Sequence, residues 1–388
     1  MTTAKTNIPG KFDPSGNLIK WITVSALIYV LLVAVAMIGD GFKISTGGAA
    51  EQLFSFATNP VIALMVGIVA TAAIQSSSTV TSIIVGLVAG GLPMAIAIPM
   101  IMGANIGTSL TSTIVSLGHV RNGEEFERAF SAATVHDSFN VLAVLLLFPI
   151  ELMFHPLENA SLWLAGFFAS DVASAGVSIS SFNIIAIAIE PPVSAFLWVT
   201  GALVDVWQGI ILILTGIALI LFVVHSAGKI LKKLMTGRAL EILNSAVGRG
   251  PVTGMGAGGI ITVMVQSSST TTALIVPMAG SGVMSMKQVY PFTLGGNLGT
   301  TVTALLAATA ITGSTAILAF QIALLHMLFN LTAILLIFSV PFLRNIPPNI
   351  AEKMASVTQK NKWFVGAYII TLFFLVPLSV LGISELFF

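Results

Sequence analysis

The pentapeptide Gln-Ser-Ser-Ser-Thr occurs twice in this chain, at 75–79 and at 266–270, and each copy interrupts a long apolar stretch. A Gly-flanked asparagine follows each copy, in GANIGTS at 103–109 and in GGNLGTT at 295–301. The two glutamines lie 191 residues apart and the two asparagines lie 192 residues apart. This spacing indicates that the two motif pairs are copies of each other.

The residues around the motifs repeat as well. Pro60 and Pro251 precede them, again 191 residues apart. After them, HDSFN at 136–140 aligns with HMLFN at 326–330 at an offset of 190. Landmarks in a fixed order at a nearly constant offset indicate an internal duplication of the chain.

The composition excludes a soluble protein. Charged residues make up 8% of the 388 residues and hydrophobic residues 56%, whereas a soluble domain averages about 25% charged residues. With a mean hydropathy of +1.01, the chain has too few polar groups to cover a surface in water. The net charge of +1 gives no electrostatic basis for binding nucleic acid. The absence of cysteine excludes thiolate metal sites and disulfides, and a polytopic membrane protein is predicted.

Charge-free apolar stretches of about 20 residues predict membrane-crossing helices. Such stretches lie at 21–39, 129–150, 207–225, 288–310, 315–340 and 364–384. The regions 60–118 and 251–310 are different, because each is too long for one crossing and carries a polar cluster in its middle.

We interpret each polar cluster as the tip of a re-entrant helical hairpin. The arms of the first are roughly Pro60–Ile74 and Val80–Ile98, and an arm of about 15 residues rises about 22 Å, less than the roughly 30 Å hydrocarbon core. A tip at membrane depth must lie inside protein or against water. Its hydroxyls, amide and helix N-terminus attract anions, and its oxygens suit a hard cation. The alternative is that the hydroxyls only bond back to their own helices.

The basic residues predict the orientation in the membrane. Lys5, Lys11 and Lys20 precede the first apolar stretch, and five basic residues lie at 229–249 before the second motif. Both segments should face the cytoplasm by the positive-inside rule. The segment 40–59 carries one lysine and two acids, as expected on the far side. The copies then enter from opposite faces, an inverted-topology repeat of the kind that secondary transporters use.

The predicted fold class is an all-α polytopic membrane protein with two inverted-topology repeats, each with a re-entrant hairpin and a broken transmembrane helix. The predicted first half is a cytoplasmic segment 1–20 and a repeat 21–151 with its hairpin at about 60–98. The predicted second half is a connecting segment 152–206, mostly extracytoplasmic or interfacial, a repeat 207–341 with its hairpin at about 251–286, and a cytoplasmic loop with a final transmembrane helix at 342–388.

The glycines beside Asn105 and Asn297 suggest an unwound turn that frees carbonyl oxygens and aims the amide. No Lys or Arg lies between Ile44 and Val120, and none follows the second motif until Lys287. An anion at the centre of either copy would therefore need helix ends, N–H and O–H donors and co-bound cations. This pattern predicts obligatory coupling to a cation.

Asp137 lies inside a predicted membrane helix, where a charge indicates function by default. It precedes Asn140 by three residues, so the two share a helix face. The carboxylate suits a sodium ion or a proton, and the alternative is a structural pair with His136 or Arg128. His136 and His326 are explained equally well as hydrogen bonders in helix packing.

Longer motifs extend this pattern. The first half contains GANIGTSLTSTIVSL at 103–117 and RAFSAATVHDSFNVLAVLLLFPIE at 128–151, and the second contains GGNLGTTVTALLAA at 295–308, FQIALLHMLFN at 320–330 and VPFLRNIP at 340–347. With the paired QSSS motifs they resemble the type II sodium-dependent phosphate cotransporters, over roughly 52–151 and 207–384. The resemblance implies a sodium-driven importer of inorganic phosphate, with sodium as coupling ion and no cofactor, whose two tips meet near the membrane centre.

The resemblance also implies the site residues. Phosphate-binding residues would be Gln75, Ser76, Ser77, Ser78, Gln266, Ser267, Ser268 and Ser269. Sodium ligands would be Gln75, Ser76, Thr79, Asn105, Thr108, Asp137, Asn140, Gln266, Ser267, Thr270, Asn297 and Thr300. In this family an Asp at the position of Asp137 goes with electrogenic transport through an additional sodium, whereas electroneutral members carry Gly there.

The chain departs from the family at three places. Ser131 stands where electrogenic relatives usually have Ala, although Ala133 agrees, and the loop 119–124 differs from the animal version. The region 152–206 lacks the long disulfide-bearing extracellular loop of animal members. These features suggest a bacterial multi-pass protein of the inner (plasma) membrane with a cytoplasmic N-terminus. The expected partners are phosphate, sodium, the lipid bilayer and a second copy in a homodimer, but no nucleic acid.

Other functions stay open at this point. Another small oxyanion or a carboxylate is the main alternative substrate, because Ser, Gln and N–H donors alone do not single out phosphate. An intramembrane serine hydrolase using His136 or His326 is disfavoured, since an activated Ser usually stands on a strained Gly-flanked turn. A channel is disfavoured because two closing tips lack the ring of repeated subunits that forms a filter. The chain is predicted not to be an enzyme.

Overall fold

The computed structural model describes residues 14–47, 59–174, 183–246 and 249–387, and every regular element in these ranges is a helix. The predicted all-α class is therefore confirmed for this part of the chain. Lys5, Lys11 and most of the predicted segment 1–20 lie outside the described residues.

The first half of the described chain contains four short helices between two long ones. The helices are α1 (Pro14–Thr46), α2 (Pro60–Ile74), α3 (Ser77–Gly90), α4 (Met94–Gly107), α5 (Leu110–Ser116) and α6 (Gly123–Phe154), with a 3₁₀ turn at Leu117–His119.

The second half repeats this order after a helical connection. Its helices are α7 (Pro156–Ser174), α8 (Asn183–Thr200), α9 (Asp205–Ala246), α10 (Pro251–Val265), α11 (Ser268–Gly280), α12 (Met286–Ala308), α13 (Ala316–Ala333), α14 (Pro341–Lys360), α15 (Trp363–Ile370) and α16 (Val376–Phe387). A 3₁₀ turn at Gly313–Thr315 precedes α13, a π-helical segment at Ile334–Phe338 continues it, and another at Thr371–Leu375 joins α15 to α16.

Six helical stretches in the described ranges are long and apolar enough to cross a membrane. They are Leu18–Thr46, Met94–His119, Gly123–Phe154, Asp205–Leu231, Ala316–Phe338 and Trp363–Gly382. Five of them coincide with predicted spans. The predicted span 288–310 is a helix, α12, but it is not among the six, because polar residues such as Thr293, Asn297 and Thr300 lower its mean hydropathy.

Two pairs of short helices flank the two polar clusters, and each pair is here called a hairpin. Their arms have 15 and 14 residues in α2 and α3, and 15 and 13 residues in α10 and α11. At 1.5 Å per residue each arm is about 20–22 Å long, too short for a core of roughly 30 Å. The second arms end earlier than predicted. Helix α3 stops at Gly90 rather than near Ile98, because Gly91 takes a left-handed conformation with φ 115°, and α11 stops at Gly280.

The two copies pack in the same way. In the first, α2 lies against α4 at Gly67, where an added Cβ would overlap the carbonyl oxygen of Met100. In the second, α10 lies against α12 at Gly258, where an added Cβ would overlap the carbonyl oxygen of Phe292. Gly258 follows Gly67 by 191 residues and Phe292 follows Met100 by 192. Equivalent residues therefore make equivalent contacts in the two copies.

The unwound turns predicted at the asparagines are not both present. In the first copy the helix is interrupted at Thr108 and Ser109, between α4 and α5. In the second copy α12 runs from Met286 to Ala308 without a break, so the predicted broken helix is wrong at 295–301. The glycines there allow close packing instead. An added Cβ on Gly295 would overlap the carbonyl oxygen of Met255 in α10.

Helices α1 and α9 form a closely packed antiparallel pair. An added Cβ on Gly41 would lie 2.7 Å from the carbonyl oxygen of Gly209, and one on Gly216 would lie 2.7 Å from that of Ala34. The start of α9 therefore lies beside the end of α1. Each helix of this pair directly precedes one hairpin in the chain, because α2 follows α1 and α10 follows α9.

The predicted loop at the start of 342–388 is the amphipathic helix α14. Its Ala355 is buried in a cluster with Phe126 and Phe130 of α6 and with Val365 of α15. Its opposite side is exposed at Phe342. The helix therefore covers the first turns of α6.

Candidate functional site

The tip of each hairpin starts with a glutamine in the left-handed conformation. Gln75 has φ 59° and ψ 28° at the end of α2, and Gln266 has φ 54° and ψ 30° at the end of α10. Apart from glycine, only one other described residue, His155, has a positive φ. This conformation is uncommon for a residue with a Cβ, and its occurrence at two equivalent positions marks both tips as specially constrained.

The serine after each glutamine caps the second helix of its hairpin. Ser76 Oγ accepts a hydrogen bond from the Thr79 N–H at 3.2 Å, and Ser267 Oγ accepts one from the Thr270 N–H at 3.2 Å. The two threonine hydroxyls also donate to these oxygens, at 2.9 and 3.0 Å. The N-termini of α3 and α11 thus combine backbone N–H groups with hydroxyl groups, an arrangement that favours anions.

The two tips contact each other beside a cavity. Ser269 Oγ donates to the carbonyl oxygen of Gln75 at 3.4 Å. The cavity, here called the tip cavity, has a volume of about 670 Å³ and is lined by both tips and by α9. Its polar tip residues are Gln75, Ser76, Thr79, Ser267 and Thr270. Of the other predicted tip residues, Ser77, Ser78 and Ser268 are buried in the first turns of α3 and α11.

The two glutamine side chains have different partners. Gln266 Oε1 accepts from the Thr303 hydroxyl at 3.0 Å, and Gln266 Nε2 donates to the Val263 carbonyl oxygen at 2.8 Å. The side chain of Gln75 is exposed and makes no hydrogen bond to any described residue. Thr111, the equivalent of Thr303, has a buried hydroxyl without a partner among those residues. The copies therefore differ at this contact.

Four asparagines from four helices form a second polar group, the asparagine group. Asn297 Nδ2 donates to Asn140 Oδ1 at 2.7 Å, and Asn330 Nδ2 donates to Asn105 Oδ1 at 3.2 Å. Asn140 Nδ2 also donates to the Asn105 carbonyl oxygen at 2.7 Å. All four side chains are buried, at most 4% exposed. Both side-chain pairs join one copy to the other, and three of the four residues were predicted.

Thr108 and Thr300 occupy equivalent places near this group. Their hydroxyls donate to carbonyl oxygens four residues earlier, those of Ala104 and Gly296, both at 3.0 Å. A hydroxyl oxygen that donates backward keeps its lone pairs. These two predicted sodium ligands can therefore still coordinate a cation.

Asp137 lies in α6, is 1% exposed and is surrounded by hydroxyl groups. Tyr368 O–H donates to Asp137 Oδ2 at 2.5 Å, and the Thr113 hydroxyl donates to the same oxygen at 3.4 Å. Asp137 Oδ1 has no hydrogen-bond partner in the described part of the chain. The two carboxylate oxygens of Asp137 therefore differ in their surroundings.

The basic neighbours of Asp137 along α6 are engaged elsewhere. His136 Nε2 contacts Asn297 Oδ1, and Arg128 Nε donates to the Gly280 carbonyl oxygen at 2.9 Å. The structural pair considered for Asp137 is thus not seen with either residue. Both ring nitrogens of His326 lack a partner among the residues described, and the contacts of the two histidines involve no serine.

Four residues of these groups were missed in the sequence: Thr113, Thr303, Asn330 and Tyr368. Asn330 had a detectable signal, because it repeats Asn140 at an offset of 190. Thr303 lies in the repeated region without a distinguishing neighbour. Tyr368 lies outside the duplicated motifs, and no pattern there points to it.

A basic residue lies closer to the tips than the sequence suggested. The two motif regions, 45–119 and 266–286, carry no Lys or Arg. The tip cavity is nevertheless lined by Lys229 and His225, which α9 contributes from outside the hairpins. The expectation that no fixed cation lies near the tips is therefore corrected.

Comparison with known proteins agrees with this architecture. The model of the Na+/Pi-cotransporter family matches residues 30–190 and 219–343. The chain belongs to the Na+/Pi-cotransporter family. It is 32% identical to sodium-dependent phosphate transport protein 2A of Ovis aries over an alignment of 436 residues. This alignment covers 95% of this chain and 68% of the relative.

A second group of relatives is nearly as similar to this family member. Sodium-dependent phosphate transport protein 2B of Homo sapiens is 31% identical over 450 residues, covering 94% of this chain and 65% of its own length. No solved structure matches the chain significantly. The family resemblance of the motifs is thus confirmed.

Proposed function

We propose that this Na+/Pi-cotransporter family member is a sodium-coupled secondary active transporter that imports inorganic phosphate, electrogenically and by alternating access around its two tips. The observation that carries the proposal is the contact between the tips, which brings the N-termini of α3 and α11 to one cavity. Its relatives are named as sodium-dependent phosphate transport proteins. Helix N-termini and hydroxyl donors suit an oxyanion such as phosphate.

The phosphate would lie between the tips. The residues assigned to it are Gln75, Ser76, Ser77, Ser78, Gln266, Ser267, Ser268 and Ser269. Ser76 and Ser267 line the tip cavity directly. The buried serines would support it through the backbone of the first helical turns, whose N–H groups point toward the helix N-terminus.

Sodium would bind where neutral oxygens are concentrated. The residues assigned to it at the tips and in the asparagine group are Gln75, Ser76, Thr79, Asn105, Thr108, Asn140, Gln266, Ser267, Thr270, Asn297 and Thr300. Hydroxyl, amide and carbonyl oxygens are ligands for hard cations at broken helices of transporters. Asp137 would hold the additional sodium, because its buried Oδ1 has no other described partner and an unpaired buried carboxylate is costly.

The charges explain why the two solutes would move together. Phosphate alone would bring negative charge into a site of low dielectric, and sodium alone would bring positive charge. Binding both lowers the cost of each. An additional sodium at Asp137, beyond the sodium ions that balance the charge of the phosphate, would make transport electrogenic.

Helix contacts support re-entrant hairpins in an inverted repeat. Gly90, at the base of the first hairpin, packs against Gly39 near the end of α1. Gly280, at the base of the second, packs against Glu125 and Ala129 near the start of α6. Because α10 begins after the far end of α9, the two bases would lie at opposite ends of the α1–α9 pair, with the tips between them. The short arms agree with this arrangement.

We further propose that the protein lies in the inner membrane with a cytoplasmic N-terminus. The basic residues at 229–249 and in α14 would then share the cytoplasmic side. The same topology supports the division into repeats at 21–151 and 207–341, joined by 152–206. The homodimer stays a prediction.

The test is uptake of labelled phosphate into proteoliposomes that contain the purified protein. We expect uptake with an inward sodium gradient but not with an equal potassium gradient. Unlabelled phosphate and arsenate should compete, whereas sulfate and succinate should not. Sodium-driven uptake of another anion in place of phosphate would refute the substrate, and uptake independent of sodium would refute the coupling.

A further inference from the structure

The tip cavity contains a feature that the proposed phosphate and sodium sites do not use. One wall consists of α9, which contributes Leu221, Phe222, Val224, His225, Gly228 and Lys229. His225 and Lys229 are four residues apart, so they project from the same face of the helix. The two polar side chains therefore face the same space as Ser76 and Ser267.

The electrostatic balance of this space is positive. No Asp or Glu is among the described residues that line it. Lys229 is exposed and makes no hydrogen bond or ion pair with another described residue. The N-termini of α3, with 14 residues, and α11, with 13 residues, open on the same cavity and add partial positive charge. Three independent sources of positive potential thus converge on one cavity.

Lys229 lies toward one end of the membrane. It is two residues from the end of the candidate span Asp205–Leu231, on the side from which the second hairpin starts. Among the α9 residues that line the tip cavity, Lys229 is the nearest to this end of the span. An anion that leaves the tip cavity toward this end of α9 would therefore pass Lys229.

We propose that Lys229, assisted by His225, forms a second binding station for an oxyanion between the tips and the cytoplasm, occupied by inorganic phosphate on its way out of the tip cavity. This inference rests on the proposed function for its choice of phosphate. A lysine ammonium is an adaptable phosphate ligand that acts as a point charge. Because Lys229 is exposed, it attracts the anion without trapping it, as release into the cytoplasm requires.

The station is tested by chemical protection, which needs neither sodium nor transport. The wild-type protein is reconstituted in zwitterionic lipid and treated with a membrane-impermeant amine-acetylating reagent, in potassium phosphate or in potassium gluconate. Mass spectrometry then gives the acetylation rate of each lysine. We expect phosphate to slow acetylation of Lys229 roughly five-fold, equivalent to about 1 kcal/mol, and to leave Lys43 of α1, which is exposed far from the cavity, unchanged.

The same measurement distinguishes free phosphate from lipid headgroups. Equal acetylation of Lys229 in phosphate and gluconate would overturn the proposal. Protection that appears only when anionic lipid is added would also overturn it, because Lys229 would then reach toward headgroups. Protection of Lys229 without any sodium-driven phosphate uptake would instead refute the proposed function and leave the anion station standing.

Variants of Lys229 test the same proposal through the phosphate affinity on each side of the membrane. Lys229→Gln should raise the half-saturating phosphate concentration on the cytoplasmic side roughly five-fold, while the value on the opposite side should change less than about two-fold. Lys229→Arg should restore most of the affinity because the charge returns. Lys43→Gln is the matched control. Equal effects on both sides, or none on either, would contradict a station on the cytoplasmic path.

Discussion

At the scale of single residues, the two carboxylate oxygens of Asp137 have unequal numbers of hydrogen-bond partners. Its Oδ2 accepts from Tyr368 and Thr113, whereas its Oδ1 is buried without a partner in the described structure. We predict that Asp137→Gly keeps sodium-dependent phosphate uptake but loses net current, because the additional sodium no longer binds. The check is charge moved per labelled phosphate in voltage-clamped proteoliposomes.

A control separates this effect from the general loss of a carboxylate. Asp40→Gly removes an acid from α1 that lines a different cavity together with Glu190, so its charge per phosphate should match the wild type. If Asp137→Gly also moves the same charge per phosphate as the wild type, Asp137 holds no transported sodium.

Tyr368 is the residue that orients the Asp137 carboxylate. Its hydroxyl donates at 2.5 Å to Oδ2, whereas Oδ1 has no hydrogen-bond partner in the described structure. We predict that Tyr368→Phe raises the half-saturating sodium concentration of the current roughly ten-fold, as for the loss of a hydrogen bond to a charged group worth about 1.5 kcal/mol. Phosphate affinity at saturating sodium should change little.

Tyr290→Phe is the matched control for this prediction. Tyr290 is a helical tyrosine as well, but its buried hydroxyl has no hydrogen-bond partner among the described residues. Its removal should leave the sodium dependence unchanged. Similar sodium curves for both variants would show that the Tyr368 hydroxyl does not position Asp137.

A sequence pattern predicts a functional residue only where it sets that residue apart from its neighbours. The tip residues and Asn105, Asn140 and Asn297 were predicted because a polar group repeated in an apolar background needs a reason. Tyr368 was not, because a single tyrosine in an apolar helix is ordinary. Lys229 was read only as a charge that orients the chain, since nothing in the sequence shows that α9 packs beside the tips.

At the scale of secondary-structure elements, the contact between α10 and α12 depends on a missing side chain. A Cβ on Gly258 would overlap the carbonyl oxygen of Phe292, which belongs to backbone and cannot turn aside. We predict that Gly258→Ala destabilises the protein by about 1–3 kcal/mol through overpacking. Thermal unfolding in detergent, followed by circular dichroism, measures the change.

Gly256→Ala in the same helix is the control. An added Cβ there meets nothing within 4 Å, so alanine should stabilise α10 slightly through its higher helix propensity, by about 0.5–1 kcal/mol. Equal melting temperatures for the two variants would mean that α12 moves away at little cost.

The paired short helices could be predicted as elements, but not all of their boundaries. Arm length against membrane thickness predicts a hairpin, and Pro60 and Pro251 predict where the first arms begin. The glycines around Asn297 were misread, because glycine permits both an unwound backbone and close helix contact. Which of these holds depends on the facing helix, and the local sequence does not contain that information.

At the scale of the whole molecule, two nearly equivalent copies adopt different local arrangements. The side chains of Thr303 and Gln266 form a hydrogen bond, whereas those of the equivalent residues Thr111 and Gln75 do not. In the first copy the helix that contains Asn105 is interrupted at Thr108 and Ser109, between α4 and α5, whereas the equivalent helix α12 is continuous. A transporter that alternates between two states by exchanging the roles of its repeats needs such a difference. The bond between Gln266 and Thr303 would then favour the state with the open tip cavity.

We therefore predict that Thr303→Val shifts the population away from this state. The cysteine-free chain allows a direct measurement, because Gln75→Cys introduces its only thiol at the wall of the tip cavity. Labelling of this thiol by an impermeant reagent from the cytoplasmic side should slow about five-fold when Thr303→Val is added, as for loss of one hydrogen bond worth about 1 kcal/mol. Thr111→Val should not slow it, because the Thr111 hydroxyl has no described partner in this state. If both valine variants label at the rate of the parent, the bond between Gln266 and Thr303 does not bias the two states.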